Sequence, residues 1–247
     1  FIFKDSDVIG NIGGGVKIQH GGGHKLSNIY IDGNEYSSGI SFYYTDGWQA
    51  TGLKIINNQT GISIDGDTPL MTNSIIANNS GRGVELWNTR SYLVNCVVAH
   101  NDGWFDGNPT EIRIGGNSTL HLENSIVWGG NSAISADIFD PDYENVDHNN
   151  SGIRIGYSVL RTNDIQMIQG NIHLFANISN DDPLFIDPDN NQFEVQTGSP
   201  AIDSGNPNSL NNDIDGSQND IGSEGGRGLF IFARGSNPEI YSRFYDQ

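Results

Sequence analysis

Apolar residues in this chain come in short β-branched bursts set between Asn, Gly and Ser, and the bursts recur. GVKI at 15–18, GISF at 39–42, GISI at 61–64 and GVEL at 83–86 follow one another at steps of 24, 22 and 22 residues. A second unit runs in phase with the first: IYIDGN at 29–34, KIINN at 54–58, SIIANN at 74–79, CVVAHN at 96–101 and SIVWGG at 125–130, with SVLRTN at 158–163 as a late copy. Pieces of this length and composition, bounded by turn formers, read as strands. No window holds apolar residues at i, i+3, i+4 and i+7 for three turns, so helix is nearly absent.

The period selects the architecture. A propeller blade needs about 40–50 residues, roughly twice the repeat seen here. About 22 residues per repeat suits one coil of an all-β right-handed parallel β-helix, a solenoid in which each strand stacks on its equivalent one coil away. Residues 8 to 160 leave room for about seven coils, a stack about 34 Å long at roughly 4.8 Å per coil. The stretches WFDGNPTE at 104–111 and FDPDYENVDHNN at 139–150 then read as loops inserted at corners, which in solenoids collect on one face. The expected division is a coil region over 1–165 and an irregular capping module over 166–247.

Composition follows from this pattern. Gly at 32 and Asn at 30 make about a quarter of the 247 residues, and these two types adopt φ > 0 most easily. Asn34, Asn58, Asn79 and Asn101 end the same strand in successive coils. They are expected to hold a left-handed corner and to bond side chain to side chain from coil to coil. Cys96 falls where Leu53 and Ser74 fall in neighbouring coils and reads as a small core residue. The single cysteine excludes a disulfide scaffold.

Charge narrows the partners. Twelve Lys+Arg against 30 Asp+Glu give −18, and the basic residues are scattered, so no stripe exists to bind nucleic acid. No run approaches 18 apolar residues, so no transmembrane segment is expected. FIFKDSD lacks the basic and apolar regions of a signal peptide, which fits a mature or partial chain with coils missing before it.

Alternation sends one column of side chains outward from the first strand unit: Lys17, Ser41, Ser63, Glu85 and Arg113, with Gln19, Tyr43, Asp65 and Trp87 beside it. Rings next to carboxylates and amides on a long shallow face suit a polysaccharide, whose CH faces stack on rings. Lys17, Tyr43, Trp87 and Arg113 are the candidate substrate-binding residues. For a catalytic version, paired carboxylates are needed, and Asp65 with Glu85 one coil apart are the candidates, with Asp67 in reserve. Such an enzyme would resemble pectate-lyase-like β-helices, which act on an outward strand face, sometimes with calcium. Calcium has two candidate sites of its own. DIDGSQNDIGSE at 213–224 places Asp213, Asp215, Asn219 and Glu224 at EF-hand-like intervals, with the glycine displaced to the fourth position. The second is Asp137, Asp140, Asp142, Glu144 and Asp147. His20 and His24 flank GGG at a corner expected to be solvated.

The C-terminal third carries DDPLFIDPDNNQFEVQTGSPAIDSGNP at 181–207 and then DIDGSQNDIGSE at 213–224. These blocks resemble the choice-of-anchor Q type of C-terminal module in secreted bacterial right-handed β-helix proteins: Asp182, Pro183, Leu184, Phe185 and Asp187; Gly198 to Asp203 and Gly205; then Asp213, Asp215, Gly216, Asp220, Ile221, Gly222 and Glu224. The resemblance covers about 45 residues and implies export. Ser223 stands where that family commonly has an aromatic residue, and GGRGLFIFARGSNPEIYSRFYDQ follows.

On another face Ile75, Val97, Ile126 and Val159 fall at equivalent outward places, an apolar stripe that must be covered. The tail, through GLFIF at 228–232, is the expected cover. The functional expectation is a secreted or cell-surface module that binds glycan or serves as a structural, adhesive component, with other copies as further partners; a polysaccharide lyase or glycoside hydrolase is the alternative.

Overall fold

The computed structural model describes residues 1–101, 110–129, 132–136, 152–167, 171–226, 230–234 and 237–241. Each coil contributes three short strands, and among the described residues no α-helix occurs. The front sheet stacks Val16–Gln19, Ser38–Tyr43, Thr60–Asp65, Val84–Trp87, Thr110–Gly115, Ser132–Ala136 and Ile165–Met167. Every step is parallel, with Val16, Ile40, Ile62, Val84 and Ile112 in one register. The other two sheets share long strands such as Lys25–Asp32, Leu70–Ala77 and Arg90–Ala99, each of which makes a floor strand, bends, and continues as a rear strand.

The bend is made by one residue. Asp5, Asn28, Gly52, Asn73, Asn95, Asn124 and Tyr157 all have φ between 46° and 63°. A single left-handed residue reverses the pleat enough to turn the strand, and Asn and Gly take that conformation at least cost. The result is a right-handed parallel β-helix of about 6 turns, about 23 residues apart. Fewer turns fit than the expected seven because later coils lengthen to 29 and 33 residues. The coil pairing also continues past residue 165, through Asn171–Leu174 and Ile178–Ser179.

The interior is a stack of aliphatic rungs. Ile40, Ile62, Val84 and Ile112 from the front sheet, Met71, Leu93 and Leu120 from the floor and Ile55, Ile76 and Val98 from the rear are all within 1% of full burial. Each such side chain contributes about 1.5–3 kcal/mol by leaving water. Phe42 stacks on Trp48 at 3.8 Å near the N-terminal end.

The asparagine ladder forms, with one correction. Asn34 donates to Asn58, Asn58 to Asn79 and Asn79 to Asn101, each through both its backbone N–H and its side-chain amide, at 2.7–3.1 Å. The left-handed residue is not the ladder asparagine but the one before it: Gly33, Asn57, Asn78 and His100. That predecessor turns the chain, so that the next side chain points into the stack. The glycine opening each front strand makes room for it. A Cβ at Gly39, Gly61 or Gly83 would lie 3.0, 3.0 or 2.5 Å from the amide nitrogen of Asn58, Asn79 or Asn101. One coil on, the glycine position is Glu111, fully buried, and its carboxylate accepts from the N–H and amide of Asn101. The side-chain dipoles of the ladder align with their positive ends toward the Glu111 oxygens, so each amide strengthens the next.

A second ladder runs through the core. Ser74, Ser125 and Ser158 each donate to the carbonyl two residues back and accept the N–H of the preceding coil, and Cys96, fully buried in the same column, points its thiol at the Val94 carbonyl.

The apolar stripe on the rear sheet is covered by residues 185–221. Phe185, Phe193, Ala201 and Ile221 close over Ile56, Ala77, Val97, Ala99, Ile126 and Val159 in one cluster. GLFIF was the expected cover; its residues 228–229 lie outside the described residues, and Phe230–Arg234 pairs with Asn237–Tyr241 as a hairpin. Phe185 and Phe193 come earlier in the module and already occupy the stripe. The bend residues anchor the module: Asn73 and Asn95 donate to the Gly225 carbonyl, Asn73 also to that of Ser223, and Asn124 Oδ1 accepts from the Asn206 N–H. His24 departs from expectation too. It is buried, with Nε2 at the His20 carbonyl and its ring against Phe1. The inserted stretches over 104–109 and 139–150, and Asp137, Asp140, Asp142, Glu144 and Asp147, lie outside the described residues.

Candidate functional site

The front sheet brings the expected residues into two adjacent columns. Lys17, Ser41, Ser63, Glu85 and Arg113 are cross-coil partners in order, and Gln19, Tyr43, Asp65 and Trp87 form the next column. Alternation along each strand, with Ile18, Phe42, Ile64 and Leu86 buried between them, aims both columns at solvent. Trp87 faces Gly115 one coil on. A Cβ there would sit 2.5 Å from the indole, so the ring lies flat across the next strand.

Each ring carries a cation. Lys17 Nζ stands 5.2 Å from the Tyr43 ring centroid and the Arg113 guanidinium 5.4 Å from that of Trp87. Such contacts contribute about 0.5–1 kcal/mol at exposed sites, and here they fix the ring orientations. Arg113 also lies 3.7 Å from Glu85 Oε1, and Arg82 reaches the same oxygen at 3.1 Å. Glu85 is therefore an ion-paired carboxylate between two guanidiniums.

Asp65 lies between Tyr43 and Trp87, and Asn88 donates to it at 3.5 Å. Asp65 and Glu85 occupy different columns: Glu85 has Ser63 as its cross-coil neighbour, not Asp65. Asp67 is off the face altogether. It is buried at the corner, where it accepts from the Thr45 hydroxyl, the Gly47 N–H at 3.0 Å and the Thr68 N–H at 2.6 Å. Burial pushes its carboxyl above the ordinary range, against those hydrogen bonds.

The loop over 213–224 uses its oxygens internally. Asp213 accepts from the N–H groups of Asp220 and Gly226, and Asp215 from the N–H and hydroxyl of Ser217, which hold the Asp215 carboxyl below the usual range. Asn219 is fully buried and donates to Asn95 Oδ1, while Glu224 is exposed. These carboxylates thus cap the turns of their own module. Among the described residues no group of three His, Cys, Asp or Glu could hold a metal ion.

Sequence reasoning missed Arg82, legible as a basic residue three before Glu85, and Gly115, whose lack of a side chain beds the indole. It also missed an outward column on the floor sheet, Tyr92, His121, Arg154 and His173. Its signal was alternation in LHL, IRI and IHL.

Three parallel ladders wound through bend residues and capped on one flank define a right-handed β-helix protein. The sequence pattern described as "Right handed beta helix region" matches residues 38–244, and the chain belongs to that family. No curated protein matches it. Among solved structures it is similar to pectate lyase Pel9A, with TM-score 0.45 and 13% identity over 89% of this chain and 72% of that one.

Proposed function

We propose that this chain is an extracellular, cell-surface β-helix module that holds an extended glycan along its front sheet without cleaving it. The observation that carries the reading is the pair of cation-backed rings, Lys17 on Tyr43 and Arg113 on Trp87, set on one flat face. A ring held by a cation keeps its orientation without a ligand, which lowers the ordering cost of sugar stacking. Binding is favoured over hydrolysis because Asp65 and Glu85 stand in different columns and Glu85 is held between Arg82 and Arg113, whereas glycoside hydrolysis needs two carboxyl groups flanking one bond. The C-terminal blocks that resemble a choice-of-anchor module support a place outside the cell.

The test is affinity electrophoresis against neutral and acidic polysaccharides, run with an assay for reducing ends and unsaturated products. Retardation by at least one glycan, lost about fivefold or more in Trp87→Ala and Tyr43→Ala, is expected, with no product released. Unchanged retardation in both variants would overturn the face assignment, and product formation abolished by Glu85→Gln would establish the enzyme.

A further inference from the structure

The floor sheet carries a second surface of different chemistry, near the C-terminal end of the stack. A groove of about 380 Å³ is lined by Arg90, Tyr92, Thr119, His121, Arg154 and His173 among others, and none of its lining residues is acidic. In a chain of net charge −18, that is a local reversal of sign. Register produces it. Tyr92, His121, Arg154 and His173 are successive cross-coil partners, and Arg90, Thr119, Gly152 and Asn171 form the column beside them. The small Thr119 and Gly152 leave the depression.

Phe175 backs the lining residues from beside the groove. Phe175 lies over Gly156, where any Cβ would run into it. Its ring meets His121 at 5.6 Å and His173 at 6.2 Å, Tyr92 meets His121 at 5.7 Å, and the Arg154 guanidinium stands 5.5 Å from the Phe175 centroid. Glu123, outside the lining, is bonded by His121 at 3.4 Å and by the Asn206 amide at 2.6 Å. Arg90 and Arg154 remain exposed.

We infer that this groove binds an anionic saccharide, its carboxylate or sulfate groups on Arg90 and Arg154 and its CH faces on the rings of Tyr92 and His121. Guanidinium groups form paired, charge-assisted hydrogen bonds with either anion, and rings beside them select a ligand with an apolar face. The volume lies at the low end of small-ligand sites, which fits a short stretch of sugars. A long polyanion such as nucleic acid is opposed by the −18 charge beyond the groove. The inference stands apart from the front-sheet reading, since the two faces share no residue.

The test is isothermal titration of the full chain with three oligosaccharides of equal length: a sulfated glucan, a uronate oligomer and a neutral glucan. A short single-stranded DNA is the fourth probe. Binding of the sulfated or the uronate oligomer, or both, with the neutral glucan at least about tenfold weaker, is expected. Which of the two anions binds tighter identifies the source. Arg90→Gln and Arg154→Gln, both exposed, should each weaken binding about tenfold, whereas Lys4→Gln, an equal loss of charge at an exposed position outside both faces, should leave it unchanged. Equal binding of the neutral glucan, equal binding of the DNA, no binding of either anion, or arginine variants that bind as the parent does would each overturn it.

Discussion

Removing one rung of the asparagine ladder should cost far more than a surface amide, and Asn79→Ala measures it. The Asn79 oxygen accepts from the N–H of Asn58 at 2.9 Å and its amide at 3.1 Å, and its own amide donates to Asn101 at 2.8 Å and to the Ile55 carbonyl at 3.3 Å. Asn58 and Asn79 are both at 1% exposure, so water does not replace the lost partners. The Asn58 N–H loses its acceptor, and one orphaned buried group costs about 1–3 kcal/mol. The Ile55 carbonyl and the small cavity left by the side chain bring the expected loss to about 2–4 kcal/mol. Asn79→Asp separates the two halves of the bond pattern. It keeps the acceptor but sets an oxygen against Asn101 Oδ1 and the Ile55 carbonyl, so its loss should be as large at neutral pH and shrink in acid, when the carboxyl regains a proton to donate. Urea denaturation followed by circular dichroism gives the total, and hydrogen exchange at the Asn58 amide gives the local part. A loss under about 0.5 kcal/mol with Asn58 protection unchanged would refute the reasoning. Asn57→Gly, at the exposed left-handed position, should lie within about 0.5 kcal/mol of the parent, because glycine adopts that backbone freely.

Phe193→Ala should free the module over 181–226 from the rear sheet at a cost of about 3–5 kcal/mol, seen as faster limited proteolysis there while the coils keep their circular dichroism; unchanged proteolysis would show that the aromatic contacts are not what docks it. His100 packs edge-on to Phe185 and Phe193, and burial lowers its pKa below the ordinary 6.5, against the pull of Asp189 and Asp182. The unfolded chain then takes up this proton first, so the contribution is present above 6.5 and is lost as pH falls from there toward the folded value. His100→Asn should remove that part of the acid dependence, and an identical profile in the variant would refute it. Chelator should leave the melting temperature unchanged, because Asp213 and Asp215 cap their own loop; a rise on adding calcium, abolished in Asp213→Asn, would restore a metal there.

The coils were legible because their constraints repeat in identical chemistry. GVKI, GISF, GISI and GVEL share a glycine forced by the ladder amide behind it, and the letters that recur are those the stack cannot vary. Register followed, and with it both front columns. The left-handed position was misplaced by one residue because Asn occurs at both sites, at Asn57 and Asn58, and composition cannot say which turns and which bonds. The floor column stayed hidden for another reason. Its outward residues, Gln49, Leu70, Tyr92, His121, Arg154 and His173, share no chemistry, and the intervals between them widen where the coils lengthen. The cover of the rear stripe was expected from the right part of the chain, but the spaced Phe185, Phe193 and Ile221 that fit the surface form no apolar run that would announce them.

The ladder has a direction, and that bears on how such a chain can grow. Every rung offers an acceptor to the coil before it and a donor to the coil after it, so a unit such as residues 58–79 is interchangeable with its neighbours and can be duplicated in place. Glu111 closes this run of asparagine amides by accepting from Asn101. A gene that lengthens this protein by tandem copying would have to insert the copy upstream of Glu111, whereas a coil added after it would need a new way to turn that corner.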